Sequence, residues 1–111
     1  WNSVFIDTKT RQSYFHRPSA GMSGAAVRPI VLYHVWKTHQ ALPELPIFAS
    51  GGVVDADSAI QYLLAGACAV QIGSGLFSNP QLPAEVQAGL IAWLEEQGEN
   101  SVADVVGTYK M

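Results

Sequence analysis

Two glycine-bearing turns, Ser50-Gly51-Gly52 and Ile72-Gly73-Ser74, each close a short apolar run, and they stand 22 residues apart. Glycine at a strand exit lets backbone N–H groups approach an anion with no Cβ in the way. A phosphate monoester needs several such donors and gains from a helix N-terminus, where free N–H groups and the dipole act together. Ser74 adds a hydroxyl donor, and Gly24 stands at a third glycine-rich entry to a helical stretch, Gly21-Met22-Ser23-Gly24. Each glycine taken alone could simply make a tight strand-to-helix turn. Two successive turns after parallel strands favour a phosphate, because β/α barrels frequently hold one at that end of their last strands.

Other chemistry-bearing residues have structural explanations. Cys68 sits in Gly66-Ala67-Cys68-Ala69-Val70 among small apolar neighbours. That context predicts a packed thiol at the start of a buried strand, not a nucleophile. His34 and His39 are five apart on a helix and do not stack as an i, i+4 pair would, and His16 stands apart from both, so no metal site is read. Asp55 and Asp57 precede a helix and suit capping. Lys9 and Arg11 follow an apolar run, within reach of an anion or simply solvated. Arg28 falls in a first helical turn, where a cation opposes the dipole, so a carboxylate or a partner chain is expected to hold it. Gln71 either lines an interior or bonds a neighbouring strand. No residue has the context of a catalytic acid or base.

The elements that must position the turns alternate. Pro46–Ala49 and Ala69–Ile72 read as strands, with a capped helix between them from Asp55 to a stop at Gly66, the size of a parallel βαβ crossover. Upstream, Trp1–Ile6 reads as a further strand and Gln12–Ala20 as an extended loop or small hairpin. A helix follows from Ala25 to about Leu42, with Pro29 in its first turn. Downstream, Gly75-Leu76-Phe77 starts a short helix. Pro83–Gln97 is amphipathic through Val86, Leu90, Ile91 and Leu94, and Gly98 stops it. Asn100-Ser101 caps a last helix through Val106, ended by Gly107. The three strands are expected to be parallel neighbours with right-handed crossovers.

Composition bounds the reading. The chain has 111 residues, 49% of them hydrophobic and 14% charged, which excludes disorder. A whole β/α barrel takes roughly 200 residues or more, so the expectation is the C-terminal portion of a TIM (β/α)8 barrel, an α/β fold, with residues 1–111 forming part of one domain. A start at Trp1 rather than Met agrees with a missing N-terminal part. Six Lys plus Arg and a net charge of −3 give no basic footprint for nucleic acid. No apolar run is long enough for a membrane span. One cysteine excludes an internal disulfide and agrees with a cytoplasmic setting.

The ordered series Asp7-Thr8-Lys9-Thr10-Arg11, Gly21-Met22-Ser23-Gly24-Ala25-Ala26-Val27-Arg28-Pro29-Ile30, Ser50-Gly51-Gly52-Val53 and Gly66-Ala67-Cys68-Ala69-Val70-Gln71-Ile72-Gly73-Ser74 resembles the C-terminal part of dihydroorotate dehydrogenase. The tail Asn100–Gly107 looks like that family's last helix, and the spacing from Asp7 to Gly24 is most similar to class 1 enzymes of the NAD-linked type. The resemblance implies an FMN-containing barrel that oxidises dihydroorotate to orotate in pyrimidine synthesis. It implies that Gly24, Gly51, Gly52, Gly73 and Ser74 bind FMN, and that the catalytic base, a flavin-contacting lysine and most substrate-binding asparagines lie upstream of Trp1. Partners implied are dihydroorotate, the remainder of the barrel, and an electron-transfer subunit or further copies of the chain. Cys68 does not match the base position, and Ser74 keeps the hydroxyl of the threonine common in relatives. The FMN domain of dihydropyrimidine dehydrogenase shares the glycine pattern, and a non-catalytic phosphate-binding half-barrel is the third alternative.

Overall fold

A computed structural model describes all 111 residues. The centre of the fold is the βαβ unit. Strand β5 (Phe48–Ser50) pairs in parallel with β6 (Ala69–Gln71), in the register Phe48 with Ala69, Ala49 with Val70 and Ser50 with Gln71. Helix α2 (Ala56–Ala65) makes the crossover. Its ends are written in the sequence. The Asp55 carboxylate accepts from Ser58 N at 2.8 Å, and the Ser58 hydroxyl oxygen accepts in return from Asp55 N at 3.1 Å, a reciprocal cap. At the other end Gly66 takes φ +119, a left-handed stop that a Cβ would strain.

Helix α1 (Arg28–Ala41) follows a 3-10 turn at Ala25–Val27, with Pro29 in its first turn as expected. Helix α3 (Gly75–Ser78) is a single turn, and α4 (Leu82–Gln97) ends at the left-handed Gly98. Helices α1, α2 and α4 cover one face of the strand pair. Ala49 is buried against them, with Val35, Val53, Tyr62, Leu82 and Val86 around it. Because side chains alternate along a strand, Phe48, Ser50, Ala69 and Gln71 project from the opposite face. Phe48 is 66% exposed there, and Gln71 is exposed beside Ser50 on the face away from the helices.

The α4 stripe differs from expectation by one position. Leu82 and Val86 are buried, and Leu90, Trp93 and Leu94 are half-buried, whereas Ile91 is exposed. The cause is the close crossing of α2 and α4. Gly89 lies so near Ala56 that a Cβ there would collide with the alanine methyl, which turns the 82-86-89-93 stripe inward and leaves Ile91 outside.

The expected strand Trp1–Ile6 is not a third parallel neighbour. Asn2–Ser3 (β1) pairs antiparallel with Ala20–Gly21 (β4), and Ile6–Asp7 (β2) with Gln12–Ser13 (β3). The reason is a local turn. Arg11, at φ +60, donates to the Asp7 carbonyl at 2.7 Å, and Lys9 N donates to the Asp7 carboxylate at 2.8 Å. The chain folds back on itself, so the apolar run takes its partner from its own return. This arm adds little to the core. The radius of gyration is 16.6 Å, against roughly 13 Å for a compact chain of this length.

The last helix is also shorter than expected. Ser101 caps a 3-10 turn at Val102–Asp104, after which Gly107 N and Tyr109 N donate to the carbonyls of Leu63 and Leu64. The tail caps the end of α2 instead of continuing its own helix. No helix is long and apolar enough to cross a membrane.

Candidate anion-binding turns

Parallel pairing of β5 and β6 places their exits side by side, so Gly51-Gly52 and Gly73-Ser74 leave the sheet at the same end. Gly24 joins them. A Cβ on Gly52, at φ +69, would stand 2.5 Å from the Gly24 carbonyl oxygen and 2.9 Å from Ala25 Cα. Gly75 closes the other side, where a Cβ would stand 2.9 Å from the Val53 carbonyl oxygen and 2.6 Å from a Leu82 methyl. The three expected turns are therefore one contiguous backbone surface.

That surface carries unspent donors. The backbone N–H groups of Gly51, Gly52, Gly73 and Ser74 donate to no carbonyl of the chain. The Ser74 side chain caps nothing in α3. A Cβ built on Gly73 meets nothing within 4 Å, so the space beside that turn is open. Unpartnered backbone donors beside open space suit an oxyanion.

The N-terminus of helix α2 is partly capped, with the N–H groups of Ala56 and Asp57 left without an acceptor in the chain. Val54 N and Asp55 N both donate to the Ser58 hydroxyl, and the Asp55 carboxylate takes Ser58 N. The Ser58 backbone N–H, then its side chain, holds the Asp55 carboxyl below its ordinary value against some desolvation, and Arg28 adds a smaller attraction.

No carboxylate of the chain holds Arg28. Its Nη1 donates to the Gly52 carbonyl at 3.1 Å. Tyr62 was missed as a site residue, since an aromatic on an apolar helix face reads as core. It is indeed fully buried, but its hydroxyl donates to the Gly51 carbonyl. Burial pushes the phenol above its ordinary pKa, with Arg28 pulling weakly the other way, so it remains a donor. The available signal was a lone hydroxyl-bearing ring on a buried aliphatic face, which needs a polar partner.

The remaining candidates lie elsewhere. Cys68 is exposed, which corrects the expectation of a packed thiol. It enters β6 from the end opposite the glycine turns, with its N–H on the Ile47 carbonyl at 2.9 Å and its Sγ donating to the same oxygen at 3.4 Å. The buried positions there are Gly66 and Ala67, at the α2 stop, so the small-residue run packs one step earlier than the thiol. Lys9 and Arg11 sit exposed at the hairpin turn. Asp57 accepts from Gln61 Nε2 at 2.6 Å on the α2 surface. His34 lies against the rings of Trp1 and Tyr33, and His39 packs against Gly66 and Gly107. His16 lies in an exposed bend.

Comparison with known proteins identifies the family. The family model described as dihydroorotate dehydrogenase matches residues 1–94. The chain is similar to the protein named dihydroorotate dehydrogenase B (NAD(+)), catalytic subunit, from several bacteria. It is 40% identical over 105 residues to that of Brachyspira hyodysenteriae, covering 95% of this chain and 34% of the relative. It is 37% identical over 108 residues to that of Thermodesulfovibrio yellowstonii, covering 97% and 35%. For Pelobacter propionicus the values are 38% over 102 residues, 92% and 33%. The chain spans about a third of the length of the curated relatives it matches.

Proposed function

The chain belongs to the dihydroorotate dehydrogenase family, and from that premise we propose that it is the FMN-phosphate-holding segment of an enzyme that oxidises dihydroorotate to orotate. The observation that carries this reading is the set of four unspent N–H groups, on Gly51, Gly52, Gly73 and Ser74, at adjacent exits of a parallel strand pair. Gly24 completes the surface by backing the Gly52 turn. FMN, when bound, supplies the hydride acceptor. The residues of this chain bind and orient it. Backbone donors fix the phosphate end, and the Ser74 hydroxyl adds one contact. The apolar-to-polar face of Phe48, Ser50, Ala69 and Gln71 is the inner wall of the barrel, against which further strands of the domain pack.

The base that takes the substrate proton is placed in another part of the enzyme, since the ionisable side chains at the Gly51-Gly52 turn, Tyr62 and Arg28, are engaged with its carbonyls. The name of the relatives, a catalytic subunit, supports a second, electron-transferring subunit as partner. It also favours dihydroorotate over a dihydropyrimidine as the substrate.

The test uses the full-length protein carrying this segment. The expected result is one FMN released per chain on denaturation and orotate formation from dihydroorotate with an artificial acceptor. A purified, folded enzyme that holds no flavin, or that turns over dihydrouracil in preference to dihydroorotate, overturns the reading.

A further inference from the structure

Both carbonyls of the Gly51-Gly52 turn are tied from behind by side chains of two different helices. The Tyr62 hydroxyl, from the buried face of α2, holds Gly51 O, and Arg28 Nη1, from the first turn of α1, holds Gly52 O at 3.1 Å. A trans peptide is planar, with its N–H opposite its C=O. Fixing Gly51 O toward the core therefore aims Gly52 N–H outward, and fixing Gly52 O sets the plane that carries Val53 N–H. Such restraint is needed at a pair of glycines, since both have positive φ, +145 and +69, and each samples more backbone conformations than any other residue would.

Neither side chain is explained by helix stability. A cation in the first turn of α1 opposes the helix dipole, and a phenol in the α2 core needs a partner that phenylalanine would not. Both make sense together at the turn. The Tyr62 ring is fully buried, so its bond is shielded from water, while the half-buried guanidinium brings a positive charge beside the same backbone.

We propose that Arg28 and Tyr62 are positioning residues for the flavin phosphate, acting through the carbonyls of Gly52 and Gly51 to hold the turn in its donor-outward form. The inference rests on the phosphate reading above and deepens it. Neither side chain needs to touch the cofactor. Their effect falls on the phosphate end alone, which separates it from a general loss of fold.

The experiment measures FMN and riboflavin affinities, by fluorescence quenching, on the deflavinated full-length enzyme carrying Tyr62→Phe, Arg28→Met or Arg28→Lys. Riboflavin has the same ring and ribityl chain without the phosphate. Tyr62→Phe and Arg28→Met are each expected to weaken FMN roughly threefold to tenfold, the scale of one hydrogen bond. Riboflavin affinity should stay within twofold, and Arg28→Lys should recover part of the preference. Parallel losses for both ligands, or an unchanged preference in Tyr62→Phe and Arg28→Met, overturn the proposal. Should Tyr62→Phe fail to fold, the half-buried Arg28 variants decide alone. A parent enzyme with no preference for FMN over riboflavin overturns the phosphate reading itself, and this inference with it.

Discussion

The Gly24 carbonyl oxygen occupies the place where a side chain on Gly52 would begin, 2.5 Å from that Cβ position. Gly52 is thus required by the protein's own backbone, before any ligand is considered. Gly73 differs, because a Cβ there meets nothing within 4 Å and its φ is not in the left-handed region.

These two glycines should therefore fail differently. Gly52→Ala is expected to destabilise the fold by about 1–2 kcal/mol from the left-handed φ alone, with further loss from the clash, read by chemical denaturation. Gly73→Val should leave the melting temperature of the flavin-free protein unchanged and strip the enzyme of FMN. Ser74→Ala should weaken FMN by no more than roughly tenfold, since the backbone donors remain. Unchanged FMN affinity in Gly73→Val would sink the phosphate assignment.

Cys68 is predicted to be reactive yet dispensable. A thiol reagent of modest size should label Cys68 in the folded protein, because the side chain is exposed. Cys68→Ser should keep turnover within twofold. A fall of several orders of magnitude, with flavin bound, would place the thiol in the chemistry after all.

The Asp55 cap gives a pH dependence of defined sign. Its folded pKa lies below the ordinary 3.8, chiefly through the Ser58 N–H bond. The stabilisation is therefore present above about pH 4 and is lost as pH falls through the lower, folded value. Asp55→Ala should cost about 1 kcal/mol near neutrality, as caps generally do. The variant should also lose less stability on acidification than the parent. An acid limb as steep as the parent's would contradict the role given to this carboxylate.

Residues 1–111 expressed alone are predicted to show no dihydroorotate turnover and to self-associate. Strands β5 and β6 each have one partner only, and Phe48 and Phe77 are 66% and 93% exposed. Open edges beside exposed apolar surface invite association. A well-behaved monomer by sedimentation, or measurable turnover, would count against the barrel reading.

The legible parts of the sequence were those whose signals are local. Asp55 and Gly66 mark both ends of α2 because capping is decided within four residues, and the glycine turns mark the strand exits for the same reason. Trp1–Ile6 misled because an apolar run does not carry the identity of its partner. The Asp7–Arg11 turn supplied a nearer one than β5. Ile91 and Cys68 were misjudged by a single position each, since the close Gly89–Ala56 crossing and the end of a three-residue strand are tertiary facts. The Tyr62 hydroxyl acquires meaning only once the Gly51 carbonyl lies beside it, which no local signal shows.

The buried cluster falls entirely between Val35 and Val86, with nothing from the first 24 residues. The βαβ unit with α1 and α4 therefore holds the cooperative core of this segment, and the β1–β4 arm lies outside it. In native-state hydrogen exchange, amides of α2, β5 and β6 should open only with global unfolding, while those of Asn2–Gly21 exchange through smaller, independent openings. The glycine turns are built on the portion of the chain that lets go last.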